Sequence, residues 1–248
     1  MDESPIDRFE REKREYIDRM AGDSRMQELS RQWFVTSCEY RYSYNFTWLG
    51  VPIIQYPQDI IVMQELIWRV RPDAVVETGV AHGGSLIFYS SLLQLLGDGG
   101  KVIGIDVEIR AHNRERILAH PLARSIQMIE GSSTDPGVVS QANAAVSSCK
   151  RVLLVLDSNH THEHVLAELR AYSSLVRKGS YIAVFDTIIE DFPEIVAPGR
   201  PWRRGDNPKT AVAEFLREND RFELDSEPER KTMITANSGG FLRCVRDP

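Results

Sequence analysis

Three groups of residues in this 248-residue chain have types and spacing that could do chemistry. The first is the run Glu77-Thr78-Gly79-Val80-Ala81-His82-Gly83-Gly84-Ser85, in which Gly79 and Gly83 allow a sharp turn and a close approach of backbone to a ligand that a β-carbon would obstruct. It departs from the dinucleotide fingerprint G-x-G-x-x-G, because Val80, Ala81 and His82 separate the first two glycines. The second is Asp106, about 29 positions after Glu77, whose carboxylate can accept hydrogen bonds from both hydroxyls of a ribose. The third is a pair of acids, Asp157 and Asp186, whose hard oxygens suit Mg2+ or Mn2+. Asp157 opens the run Asp157-Ser158-Asn159-His160-Thr161-His162-Glu163-His164, and histidines in H-x-H-x-H spacing leave a zinc hydrolase open as an alternative.

These residues gain meaning from the elements that must hold them. From residue 57 onward short apolar runs alternate with helical stretches, the pattern of βαβ units and a parallel sheet. Strands are expected at 74–77, 101–105, 125–129, 152–156 and 181–185, and helices at 60–70, 85–96 and 208–218. Asp106, Asp157 and Asp186 then stand at strand ends, as do Ser132 and Ser133 after Glu130-Gly131, at the carboxyl edge where open parallel sheets bind ligands. Three further short β segments are expected at 221–225, 232–236 and 241–245, the latter two joined by Asn237-Ser238-Gly239-Gly240. A helix beginning near Thr161 would turn His160 toward the site and set His164 on one face with Glu168.

Residues 1–56 form an extension and 57–248 the ligand-binding domain. Residues 2–31 have the charge pattern of one or two amphipathic helices, and residues 39–57 are dense in aromatics that line a pocket or staple an interface, so a homo-oligomer is expected. Residues 187–207, with Glu190, Asp191, Pro193, Pro198, Pro201, Trp202, Arg203 and Arg204, lack periodicity and are long enough for a lid. A formal net charge of −6 argues against a nucleic-acid partner. Cys38, Cys149 and Cys244 are far apart and without CxxC spacing, so neither a disulfide framework nor a thiolate zinc site is expected. Asp2, Glu3 and Asp7 directly after Met1 are wrong for a signal peptide, and no apolar run approaches the roughly 18–20 residues of a membrane span. A cytoplasmic location follows as an expectation.

The segment E-x-G-x-x-x-G-x-S resembles the turn with which class I methyltransferases of the catechol O-methyltransferase type bind S-adenosylmethionine. That resemblance implies an α/β, Rossmann-like class I methyltransferase fold with a mostly parallel seven-stranded sheet and a C-terminal antiparallel hairpin. It places Glu77, Gly79, Ala81, His82, Gly83, Ser85 and Asp157 around the methyl donor, Asp106 on its ribose, and Ser132 and Ser133 at its adenine. The Asp106 role would suit a nicotinamide dinucleotide equally. Asp157 and Asp186 match two Mg2+ ligands of that type, and Thr187 stands where an Asn supplies the third.

Taken with Tyr44-Asn45-Phe46-Thr47-Trp48-Leu49-Gly50, Gln55-Tyr56-Pro57-Gln58-Asp59 and Asp206-Asn207-Pro208-Lys209-Thr210, these motifs resemble the cephalosporin hydroxylase family over about residues 30–245. The family includes rhamnosyl O-methyltransferases and is associated with S-adenosylmethionine and a divalent cation. Its cephalosporin-pathway members carry an acidic pair after the fifth strand, where this chain has Phe185-Asp186. The implied activity is metal-assisted O-methylation of a hydroxyl on a sugar or glycosylated natural product, with His160 and Asp157 in catalytic roles. Rival readings are a metal-dependent hydrolase built on His160, His162 and His164, a non-catalytic accessory protein of natural-product hydroxylation, and a nicotinamide oxidoreductase.

Overall fold

The computed structural model describes residues 3–97, 99–192, 195 and 199–247. Met1, Asp2, Asp98, Pro193, Pro198 and Pro248, which enter the expectations above, lie outside them. Two helices open the chain, α1 (Pro5–Ala21), started by the Ser4 side chain and Pro5, and α2 (Ser24–Glu39), capped by Asp23. None of the residues of α1 is buried, whereas α2 buries Phe34. The aromatic stretch contains a hairpin absent from the expectations, β1 (Phe46–Trp48) and β2 (Val51–Ile53), turned at Leu49 and Gly50, both at positive φ.

Helix α3 (Pro57–Val70) leads into β3 (Ala74–Thr78), α4 (Gly84–Leu96), β4 (Lys101–Asp106), α5 (Ala111–Ala119), β5 (Ile126–Glu130), α6 (Pro136–Ala145), β6 (Val152–Leu156), α7 (His162–Tyr172) and β7 (Tyr181–Val184). The chain closes with α8 (Pro208–Glu218), β8 (Phe222–Leu224), α9 (Glu227–Thr232) and β9 (Phe241–Cys244). The sheet has seven strands in the order β5-β4-β3-β6-β7-β9-β8, parallel except where β9 pairs antiparallel with β7 and β8. The α/β, Rossmann-like expectation therefore holds.

Every residue of β3 and β6 is buried, because helices cover both faces of the sheet; β6 is apolar throughout and β3 is so up to Glu77 and Thr78 at its carboxyl end. Alternation divides them: Ala74, Val76, Leu154 and Leu156 pack with α6, α7 and α8, while Val75, Leu153 and Val155 pack with α3 and α4. The chain runs outward from β3 to β5, then returns to lay β6 on the other side of β3. The crevice for a ligand thus lies at the carboxyl ends of β3 and β6.

One expected strand is absent. Residues 232–236 form no strand: Pro228 in the first turn starts α9, with Glu227 and Glu229 early and Arg230 and Lys231 late to suit its dipole, and Met233 ends it at φ 59. The terminal antiparallel pair is therefore β8 with β9, and not a hairpin across 237–240. Among the described residues no helix is long and apolar enough to cross a membrane.

Candidate active site

The turn from β3 to α4 is left-handed at Gly79 (φ 92), Ala81 (φ 46) and Gly83 (φ 86). Its glycines serve close packing of the protein on itself. A Cβ on Gly79 would stand 1.9 Å from the carbonyl oxygen of Asp157, one on Gly83 would meet Ile117 Cδ1 at 2.3 Å, and one on Gly84 would meet the Pro52 carbonyl at 2.2 Å. The turn is thereby pressed against the end of β6 and under the β1–β2 hairpin.

Asp106 fixes this turn from β4: Oδ2 accepts from Val80 N at 2.7 Å and Ala81 N at 3.2 Å, and Oδ1 accepts from Glu108 N at 3.1 Å. It still lines the cavity, with part of its acceptor capacity uncommitted. Asn113, in α5, donates to Ala81 O at 2.9 Å and also lines the cavity.

Glu77 lies beneath the turn and not on the cavity wall, because as an inward-facing residue of a central strand it is wholly buried. Ser85 Oγ donates to its Oε2 at 2.6 Å, Oε1 has no partner, and burial pushes its carboxyl up to about 8. Gly79, Ala81, His82, Gly83 and Ser85 do line the cavity. Ser132 and Ser133 do not. Ser132 pairs with Thr134, and Ser133 donates to Glu168 Oε1 at 2.5 Å, so both hydroxyls are turned to protein partners.

Asp157 follows β6 and Asp186 follows β7, the latter at φ 56. A non-glycine residue in that region costs roughly 1–2 kcal/mol and is retained where the surroundings impose it. One ligand atom from each of Asp157, His160 and Asp186 can be chosen so that all lie within 4.8 Å of one another. His160 Nε2 is 3.1 Å from Asp186 Oδ2, and the Trp202 ring stands edge-on to the imidazole at 4.8 Å and 88°. Burial, with the carboxylates of Asp186, Glu77, Glu168 and Asp59 nearby, raises Asp157 well above the usual carboxylate range. Such crowding of negative charge is relieved by a cation, and two carboxylates with an imidazole are a donor set that a divalent ion accepts.

Thr187, expected as the third ligand, lies off the cavity wall, with its buried Oγ1 without a hydrogen-bond partner. One residue beyond the left-handed turn, its side chain is fully buried, its Cγ2 faces Gly240, and it does not line the cavity. His160 is the imidazole that stands beside the two acids.

The other histidines diverge, because α7 begins at His162, directly after Thr161, and successive helical residues point about 100° apart. His162 turns to Thr210 Oγ1 (2.8 Å) and Glu214 (3.2 Å), and His164 turns to Ser133 Oγ (3.0 Å) and Glu168 (3.4 Å). The three imidazoles do not converge, which removes the basis for the hydrolase reading.

Turn and acids share one cavity of about 900 Å3. It is also lined by Phe34, Cys38 and Asn237, to which the sequence assigned no site role, by Asp59 of the Gln55–Asp59 motif, and by Tyr44 and Tyr56 of the aromatic stretch. High aromatic density was the available signal for the tyrosines, whereas nothing local marked Phe34, and Asn237 read only as a turn residue. Within 187–207, Ile188, Ile195, Arg200 and Trp202 line the cavity, and Glu190 accepts from Gly205 N at 2.8 Å and Asn207 Nδ2 at 2.5 Å.

Residues 40–245 match the family model described as rhamnosyl O-methyltransferase/CmcI. A rhamnosyl O-methyltransferase of Mycobacterium bovis (strain BCG / Pasteur 1173P2) is 30% identical over 202 residues, 79% of this chain and 77% of that protein. An apo-structure of CmcI has a TM-score of 0.57 at 22% identity, covering 82% of this chain and 77% of that one. A structure of CmcI with Mg and S-adenosylmethionine has a TM-score of 0.53 at 21% identity over the same shares, 82% and 77%. Both structural likenesses are likenesses of fold.

Proposed function

The chain belongs to the rhamnosyl O-methyltransferase/CmcI family, and from that premise we propose that it transfers a methyl group from S-adenosylmethionine to a hydroxyl of a sugar or glycosylated natural product, assisted by Mg2+ or Mn2+. The observation that carries this reading is the meeting of Asp157, His160 and Asp186 beside the Gly79–Ser85 turn, in one cavity at the point where the strand order reverses. The sugar acceptor rests on the name of the mycobacterial relative.

The residues present fit both groups. Asp106 opens on the cavity with acceptor capacity left for a donor's hydroxyls, and the acids crowd where a divalent ion is needed. When bound, the ion is a Lewis acid for an acceptor hydroxyl and the sulfonium donor supplies the methyl group. Asp157 and Asp186 hold the ion, the turn and Asp106 hold the donor, and the shared cavity sets donor and acceptor side by side, where fixed proximity contributes much of the rate. His160 takes the hydroxyl proton. Its ring is held between Asp186 Oδ2, 3.1 Å from Nε2, and the edge-on ring of Trp202.

The test is calorimetry of S-adenosylmethionine, S-adenosylhomocysteine and NADH with and without Mg2+, followed by assay of methyl transfer to p-nitrophenyl α-L-rhamnopyranoside. Binding of both sulfur ligands but not NADH supports the proposal. Absence of binding by either sulfur ligand overturns it.

A further inference from the structure

The mechanism above makes no use of Gln55-Tyr56-Pro57-Gln58-Asp59, yet Asp59 is tied to the cation site by an unbroken run of hydrogen bonds. It lies in the first turn of α3 and is 1% exposed. Its Oδ1 accepts from Thr235 Oγ1 at 2.5 Å and its Oδ2 from Ala236 N at 3.0 Å. Thr235 Oγ1 in turn accepts from Asn237 N at 2.9 Å, and Asn237 Oδ1 accepts from Asp186 N at 3.3 Å. The amide orientation is not arbitrary: the Asp186 N–H is a donor, so the side-chain oxygen must face it. A second tie runs in parallel, Ile188 N donating to Ala236 O at 3.1 Å.

Both ties end on the short segment that carries Asp186 at φ 56, a backbone state that a residue with a β-carbon keeps only where its surroundings over-determine it. Residues 235–237 have no strand or helix of their own to hold them. What anchors them at one end is the buried carboxylate of Asp59, and what they anchor at the other is a cation ligand. We propose that Asp59 is a positioning residue for the cation site, acting through Thr235 and Asn237 to hold Asp186 in the conformation that brings its carboxylate to Asp157 and His160.

This inference rests on the cation site proposed above, and the experiment separates the two. Mn2+ affinity of the full chain is measured by the loss of the free-ion paramagnetic resonance signal, for wild type, Asp157→Ala, Asp59→Asn, Thr235→Val and Thr235→Ser. S-adenosylhomocysteine affinity is measured by calorimetry on each. Asp59→Asn leaves one side-chain acceptor for two donors, and Thr235→Val removes the bridging hydroxyl while conserving shape. Both are expected to weaken Mn2+ binding about 10-fold, the scale for loss of a group supporting a ligand, with S-adenosylhomocysteine binding and Thr235→Ser unchanged.

Wild-type Mn2+ affinity in folded Thr235→Val and Asp59→Asn overturns the inference, as does a parallel loss of both ligands, which marks collapse of the whole cavity. If Asp59→Asn fails to fold, Thr235→Val alone decides. Wild type with no Mn2+ binding sensitive to Asp157→Ala overturns the cation site itself, whereas binding that ignores Thr235→Val overturns only the role of Asp59.

Discussion

The Nε2 of His160 lies 3.1 Å from Oδ2 of Asp186, joining the loop after β6 to the end of β7. His162 and His164, from the same run, are held by Thr210 and Ser133 on other faces of α7. Chemistry that needs an imidazole beside the acids therefore falls to His160 alone among these three.

His160→Gln is expected to lower kcat for methyl transfer by about 10^2–10^4-fold, the range for loss of a general base, with S-adenosylhomocysteine affinity unchanged. His162→Ala and His164→Ala should keep kcat within a small factor. Steady-state assays of the three variants check this, and an equal loss in all three would sink the assignment.

Asp157→Asn is expected to abolish Mn2+ binding and, without metal, to raise the midpoint of thermal unfolding near neutral pH. It removes a charge that burial and Asp186 disfavour. Each kcal/mol gained should read as roughly 2–4 °C for a chain of this size. Differential scanning calorimetry in chelator makes the measurement, and a lower midpoint would contradict the strain assigned to the acids.

Glu77 gives a pH dependence of definite sign. Its carboxyl is raised from 4.5 to about 8 in the folded chain, so between those values the native state binds the proton more than the unfolded state does. Its stabilising contribution is complete below the unfolded value and is lost as pH rises through about 8. The slope from this group alone approaches about 1.4 kcal/mol per pH unit. Urea unfolding of apo wild type and Glu77→Gln from acid to mildly alkaline pH should show a fall in stability that the variant lessens. Asp59, raised to about 7 by burial, leaves a remaining slope of the same sign. Parallel curves would refute the role of Glu77.

Gly79→Ala should be far more damaging than Gly97→Ala. Both positions have positive φ, 92 and 78, but a Cβ at Gly79 strikes the Asp157 carbonyl while one at Gly97 meets nothing within 4 Å. Strain alone costs roughly 1–2 kcal/mol, and forcing backbone apart adds about 1–3 kcal/mol at Gly79. Chemical denaturation compares them, and equal losses would mean that turn and β6 are not in close contact.

The strand ends were legible because helices on both faces demand apolar runs, so an acid such as Asp106, Asp157 or Asp186 marks where a strand leaves the core. The turn at Gly79 was legible because positive φ selects glycine. Both signals are local, set by the covalent chain and by what a strand must bury.

Direction was not local. Whether Thr187 or His160 joins the acids depends on a left-handed turn at Asp186, and the hydrogen bond from Asp186 to Asn237 spans distant parts of the chain. Residues 232–236 have strand-like composition, yet Pro228 starts a helix before them and Asp59 captures the Thr235 and Ala236 that follow. By itself the sequence determined a parallel sheet with acids and a glycine turn at its carboxyl edge, since periodicity and backbone sterics act over a few residues. Only the tertiary structure decided which side chains meet in the cavity, because contacts between remote segments set side-chain direction, and no spacing along the chain encodes them.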